Sequence, residues 1–490
     1  MKKFKTLQLF LSMLLAMLNL SYAANANDAL IANRVEYSKG GEYDDGFVIP
    51  MDNKGLLYQC SSNKKINNKC YIRTDYYDTN LNLLASDSVL VNWKLEFYDN
   101  IYHDGVNYSI MRDYGNDFCI LASDMALRKT RVINAKYSHS GSFRNLIIAG
   151  DYMVFSSTQG SQDRIVFINL NNGEVKLSDI HFDKVKNKDI HIMDNIVVND
   201  HILAMVRAKD DVYLVHIEMN GDQREPICLT STIPQHILSA SLSMAGNNIF
   251  VTGTYADKKT FDKRSQGLYF GQLKGNQFSY IKFHDFLELN HFTDYMTDKE
   301  KIEQKKAKAE KKGKSYSLEC NIASHDIMEN NGYYYYIGEV FYPRFKSASH
   351  FTVDASEYGY QYTHAVLVKF DNNGNLVWDN CFEMNLGSPL IYVKRFVNTT
   401  FKDNKLNAMF VDGNNIISKL INDQDGEVMQ DNESKIIETD NESNAVNKTK
   451  SSKASHWFDN NYLVYGVQVV DNKETAKNYK VFFINKYTIK

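Results

Sequence analysis

Ala323-Ser324-His325 and Ala454-Ser455-His456 are the same tripeptide, and each stands a few residues before a paired asparagine, a short β-rich run and a glycine. Two imidazoles at equivalent places in a repeat can share a metal or a ligand, with Asp326 and His364 next in line to complete the set. Repetition equally fits a structural role, in which each ring hydrogen-bonds a neighbouring unit. A second candidate is aromatic: the stretch from Phe341 to His364 contains Tyr342, Phe345, Phe351, Tyr358, Tyr360 and Tyr362. An exposed tyrosine offers an apolar face and a hydroxyl, so such a stretch can form a platform for a sugar or a peptide. The alternative is that these rings pack the stretch against its scaffold. No HExxH, GxSxG, GxxxxGK or CxxC pattern occurs, so zincin, hydrolase, nucleotide-binding and zinc-ribbon readings have no motif, and no cofactor is expected.

The elements that position these residues are set by five glycine turns, at Gly173, Gly221, Gly275, Gly374 and Gly426. Each joins one β-rich run to another, as Ile165 to Leu170 leads into Val175 to Ile180. Asn-Gly and Asp-Gly between strands are strong hairpin signals, because the turn needs positive φ angles. The spacings are 48, 54, 99 and 52 residues, so the third gap is either two ordinary steps or one step plus an insertion of similar size. A further strand lies upstream of each hairpin, at Tyr152 to Ser156, His201 to Arg207, Ile249 to Thr252, Tyr333 to Ile337 and Leu406 to Val411. Units of three or four short strands with a period near fifty residues predict an all-β chain folded as a β-propeller. Seven or eight blades fit, and counting the strands at Leu56 to Cys60 and Asn107 to Met111 favours eight. The final run, Lys480 to Ile489, has no partner after it, so Ile31 to Tyr37 is expected to complete the last blade.

Two stretches break the repeat, at about 288–316 and 341–364. The first contains Asp298 to Lys314, with eight lysines, four acids and two alanines. It reads as a helix, with Thr297 and Glu300 as a capping box and Gly313 at its end. It is either a basic arm for an anionic surface or a solvated helix held by lysine–glutamate pairs. The second is the aromatic stretch, read as a loop between two strands that are joined directly elsewhere.

Three lysines, the 14-residue apolar run Leu7 to Leu20, and Ser21, Tyr22 and Ala23 read as a signal peptide over residues 1–23, cleaved near Ala23. The apolar run is shorter than a bilayer span, and none follows, so no transmembrane segment is expected. Cleavage moves the net charge from −3 to −6 over 467 residues, which disfavours nucleic acid as a partner. The remaining 24–490 read as one exported, monomeric domain, periplasmic or at the cell surface. All six cysteines lie in that part. The local candidates for a disulfide are Cys60 and Cys70, which end one strand and start the next; two buried thiols are the other reading.

Asp371, Gly374 and Trp378 resemble the aspartate, glycine and tryptophan of the docking motif in quinone-dependent propeller dehydrogenases, and also the Asp-box of sialidases. Asp423, Asp425 and Glu427 read as a hairpin turn rather than a calcium loop. Taken with the signal peptide and the lysine helix, the stretch Tyr358 to His364, the hairpin Val366 to Trp378 and the region Trp457 to Ile484 resemble an uncharacterised family of exported bacterial propeller-like proteins. That resemblance implies fold and compartment and assigns no activity. The expectation is therefore a binding or scaffolding module for an unknown protein or glycan, with Tyr358, Tyr360, Tyr362, His364, His325 and His456 as candidate ligand residues. The alternative is a carbohydrate-active hydrolase or lyase whose site is assembled from several blades.

Overall fold

The computed structural model describes residues 30–40, 46–113, 118–137, 141–231, 233–257, 264–345, 357–388, 393–439, 444–475 and 477–489. The strands form eight separate antiparallel sheets, and the fold is an eight-bladed β-propeller. Blades I to VII run in chain order over residues 47–92, 96–134, 143–179, 190–228, 235–285, 321–388 and 398–436. Blade VIII combines residues 444–488 with the N-terminal strand Leu30–Ser38, which pairs with Lys477–Thr488 from Leu30 opposite Thr488 to Ser38 opposite Val481. In each blade the first strand lies innermost. The second and third strands are buried on both faces, as in His201–Ala208, where five consecutive residues are buried. This explains their continuous apolar runs, because each sheet packs against a blade on either side.

The apolar cores lie between blades rather than within them. Ile110, Ile120 and Ile133 of blade II meet Phe143, Phe155 and Val166 of blade III, and Tyr58 and Leu56 of blade I meet Trp457, Leu463 and Ile484 of blade VIII. Cys60 belongs to that last core and Cys70 to the one shared by blades I and II, with Met111 and Leu121. Cys60 pairs in register with Arg73, so Cys70, three residues from Arg73, points to the opposite face of the sheet. The two cysteines proposed as a disulfide therefore stand back to back, because strand alternation separates them.

Every blade boundary also carries a polar latch in which a side chain of one blade takes a backbone group of the next. Asp87 accepts from Thr130 N at 2.8 Å, Asp163 from Ile192 N at 3.0 Å and Asp194 from Leu242 N at 2.7 Å. The Tyr98 hydroxyl accepts from Phe143 N at 2.9 Å and donates to Phe143 O at 3.2 Å. Asp379 accepts from His291 N, Glu339 from Phe396 N and Val397 N, and Asn398 from His456 N. Trp457 Nε1 closes the ring by donating to Gly55 O at 2.8 Å. Leaving a buried backbone group unpaired costs about 1–3 kcal/mol.

Four of the five glycine turns, all but Gly275, meet the preceding blade at the same boundaries. All five have positive φ. A Cβ on Gly173 would be driven into the backbone of Asn134 on the outer strand of blade II, and one on Gly426 would lie 2.8 Å from Trp378 Cγ on blade VI. Trp378 in turn donates Nε1 to Asp423 O at 2.9 Å, so the Asp371–Gly374–Trp378 hairpin docks the next blade. Asp371 closes its own turn by accepting from Asn373 N and Asn375 N. Asp423 and Asp425 also sit in a hairpin turn, where Asp423 takes the Tyr335 hydroxyl and the Lys369 ammonium.

The 99-residue gap is one step enlarged twice. Between blades V and VI, Phe286, Leu289, Phe292, Ile302 and Leu318 of the connecting segment join the core formed by Phe270, Val366 and Phe370. Its helix, α1 (Lys299–Glu310), buries Ile302 and exposes Lys301, Lys305 and Lys308. Asp298 is the N-cap and makes no side-chain cap bond, so the capping box expected at Thr297 and Glu300 does not form; one forms instead at Asp285 and Glu288. At both ends of the aromatic stretch the chain is strand: Tyr333–Phe345 and Glu357–Phe370 pair out to Phe345 opposite Glu357. The middle of the stretch read as a loop, 346–356 with Phe351, lies outside the described residues.

His364 lies on that hairpin and is fully buried under the insertion, edge-on to Phe292 at 5.3 Å. Its Nδ1 meets Thr363 Oγ1 at 3.0 Å, and its Nε2 has no partner. Burial holds the imidazole neutral, down to about 4, with Asp294 opposing weakly.

Two measurements test this packing. Gly173→Ala should destabilise the protein by well over the ~1 kcal/mol that Gly275→Ala costs through its left-handed turn alone, because a Cβ on Gly275 meets open space. Equal losses in chemical denaturation would refute the contact with Asn134. Because the folded His364 takes its proton below the unfolded value of about 6.5, its contribution is complete above that pH and is lost as pH falls toward 4. The wild type should lose up to about 3 kcal/mol across that window, and His364→Leu should lose measurably less; parallel curves would refute the assignment.

Candidate functional site

A cavity of about 1190 Å³ occupies the central channel, where the inner strands of blades II, III and VI meet the segment leading into blade VII. One wall is built from Glu96, Phe97, Tyr98, Asp99, Arg112, Phe143 and Arg144. The facing wall carries Ala323, Ser324, Val393, Lys394 and Arg395.

What aims these side chains inward is a recurring break in the inner strands. Blades II, III and IV each slip register at the same place, between Phe97 and Asp99, Arg144 and Ile147, and Ile192 and Asp194. A bulge adds one residue and re-aims its neighbours. At each break stands an asparagine followed by an aliphatic residue: Asn100-Ile101, Asn145-Leu146 and Asn195-Ile196. Asn145 has φ of 54° and donates to Met193 O, while Asn195 donates back to Asn145 O, so the two bulges brace each other. The residues just before these asparagines are Asp99, Arg144 and Asp194. Burial raises both carboxyls, and it pushes Asp194 up to about 7 despite the backbone amides of Leu242 and Asn195, with Asp326 adding to the rise and Arg395 opposing it.

The cations are fixed from behind. Arg112 lies over the Tyr98 ring at 3.8 Å and the Phe143 ring at 4.9 Å, and donates to Gly141 O. Arg144 donates to Asp163 at 2.8 Å and Thr158 at 3.0 Å, and its buried Nε has no partner. On the far wall Arg395 meets Asp326 at 3.3 Å, with both side chains at least half exposed. Lys394 is held through its backbone: the Tyr362 hydroxyl accepts from Lys394 N and donates to Lys394 O, both at 2.9 Å. Tyr98 treats Phe143 in the same way, so one tyrosine latch stands behind each charged wall.

The six candidate residues fall in different places. Tyr362 is fully buried and positions Lys394, so it is no exposed platform. Tyr360 is half-buried, edge-on to Phe341 at 5.0 Å, and the side chain of Tyr358 lies outside the described residues. His325 meets Glu339 at 2.8 Å, beside the Glu339 latch onto Phe396 and Val397. His456 donates to Asp459 O at 2.9 Å and shares no partner with His325. Among the described residues no cluster of three or more His, Cys, Asp or Glu has metal-binding geometry. Sequence reading brought Asp326 and Tyr362 near the site and missed Asp99, Arg112, Arg144, Asp194, Lys394 and Arg395. The repeated asparagine before an aliphatic residue, at intervals of 45 and 50, was the signal that would have found three of them.

No family model matches the sequence, and no curated protein matches it. Among solved structures, the chain is similar to the dihydro-haem d1 dehydrogenase NirN in complex with DHE, at 10% identity over 94% of this chain and 81% of that one, with a TM-score of 0.43. It is similar to the Dos1 propeller at 9% identity over 92% and 94% of the two chains, with a TM-score of 0.42. It is also similar to the polysaccharide lyase Uly1 at 8% identity over 94% and 99%, with a TM-score of 0.39. Likenesses at this level concern the arrangement of strands, and no ligand or activity passes from them to this chain.

Proposed function

We propose that this protein is an exported binding propeller of the bacterial envelope that holds its ligand in the central channel. The observation that carries this reading is the cavity itself: about 1190 Å³, with rigidly backed charged side chains converging from separate blades. Pockets of this size, with a few well-placed polar groups, are where small ligands bind. Export rests on the character of residues 1–23, which lie outside the described residues. Among the described residues no helix is long and apolar enough to cross a membrane. The contact surface first expected at Tyr358, Tyr360 and Tyr362 moves inward, because Tyr362 serves the channel wall.

Val393 lines the cavity and is 45% exposed, so a larger side chain there fills the channel without disturbing a core. In a thermal-shift screen against a saccharide and metabolite panel, the wild type should be stabilised by a subset that leaves Val393→Trp unmoved. Equal shifts in both proteins would place binding outside the channel.

A second reading, a carbohydrate-active enzyme, is favoured by Asp194. A carboxyl that holds its proton to about pH 7 beside a channel is suited to donate it. Under that reading, turnover of a polysaccharide pool, followed by mass spectrometry of the products, should fall as pH rises through 7 and disappear in Asp194→Asn. Absence of turnover in the wild type, or turnover unchanged by the substitution, removes it.

A further inference from the structure

The aromatic wall of the channel is not a stacking platform for a neutral sugar. One face each of Tyr98 and Phe143 is taken by the Arg112 guanidinium, one face of Phe97 by the Phe47 ring, and the Tyr98 hydroxyl is consumed by the Phe143 backbone. These rings hold a charge in place. The same is true across the cavity, where Tyr362 spends its hydroxyl on Lys394. Both latches therefore serve to present cations, Arg112 and Arg144 from one side and Lys394 and Arg395 from the other. Arg144 is anchored through one terminal nitrogen by Asp163 and Thr158 while its side chain stays 40% exposed in the cavity it lines, which suits it to receive an acceptor there.

The carboxyls narrow the chemistry further. Glu96, Asp99 and Asp113 line the same cavity. Ionised carboxylates accept hydrogen bonds and donate none, so a simple anion such as phosphate would be attracted by four cations and repelled by three acids. A ligand that satisfies both sets carries an acidic group for the cations and hydroxyl donors for the carboxylates. We infer that the channel recognises an acidic saccharide, with its acid group between the Arg112–Arg144 and Lys394–Arg395 walls and its hydroxyls donated to Glu96, Asp99 and Asp113. This rests on the reading of the channel as the binding site.

The test uses the full chain and three sets of oligosaccharides of matched length: neutral, uronate-bearing and phosphorylated. Inorganic phosphate serves as competitor. Variants are Arg395→Gln, whose side chain is half exposed and meets the exposed Asp326, and Val393→Trp. A third replaces Lys301, Lys305, Lys308 and Lys312 of the inserted segment with glutamine and controls for charge elsewhere. At least one acidic set should bind while the neutral set does not, and which set binds identifies the acid group. Arg395→Gln should weaken binding about tenfold or more, the loss of a charge-assisted hydrogen bond. Val393→Trp should abolish binding, the lysine variant should leave it unchanged, and inorganic phosphate should compete only in large excess. Equal binding of neutral oligosaccharides, blocked by Val393→Trp, would overturn the acidic class and leave the channel standing. Phosphate competing as well as the saccharides would overturn the need for hydroxyls. Binding lost in the lysine variant and kept in Val393→Trp would overturn both the class and the channel.

Discussion

The ring depends on side chains that satisfy backbone groups of the neighbouring blade. An antiparallel sheet of four strands pairs its own amides internally, but connections between blades and bulges in the inner strands leave groups that no ladder reaches. The eight boundaries answer this with different residues, an aspartate at some, a tyrosine, glutamate, asparagine or tryptophan at others. Apolar packing between blades supplies the bulk of the driving force, yet packing alone is tolerant of sliding. The latches fix each blade against the next in one register. The two tyrosine latches show how that structural demand becomes chemistry, because the segments they hold are the segments that carry the channel cations.

The glycine period was legible because it reports local backbone demands that recur with the repeat. The structure adds a reason for it that spacing does not contain: Gly173 and Gly426 rest against the preceding blade, whereas Gly275 does not and is required only by its turn. The closing strand was legible from an unpartnered run at the C-terminal end. The channel was not. Glu96, Arg144 and Arg395 come from separate blades, and each is an ordinary charged residue in its own neighbourhood. Bulged inner strands carry Asp99 and Arg144, and the connection into blade VII carries Arg395, and neither a bulge nor a connection leaves much trace in the pattern of apolar residues.

The repeated Ala-Ser-His tripeptide shows how a true repeat can mislead about chemistry. The two tripeptides differ in register: Ala323 and Ser324 lie opposite Glu339 and Gly338, whereas Ser455 and His456 lie opposite Leu463 and Tyr462, and Gly466 faces Ser452 instead. His325 therefore has a buried carboxylate to meet, and His456 turns to the carbonyl of Asp459. Identical tripeptides sit at different registers against the adjacent strand. Similarly, the tyrosines of the long hairpin were visible as a cluster, but strand alternation sends Tyr360 and Tyr362 to one face, against the core between blades VI and VII, where Tyr362 is fully buried and Tyr360 half-buried.

The sharing of blade VIII between the two ends of the chain sets an order of assembly. Its outer strand, Leu30–Ser38, precedes the seven other blades in the chain and its partner, Lys477–Thr488, follows them. At ribosomal rates of about 5–20 residues per second the two are separated by roughly 20 to 90 seconds. For that interval the earliest strand has no partner, and the circle stays an open arc with an uncovered blade at one end. Contacts this distant in sequence also form late and slowly once the chain is free. Loss of Leu30–Ser38 would thus leave a blade of three strands, whereas loss of Lys477–Thr488 would also take away the partner of Leu30–Ser38 and leave two.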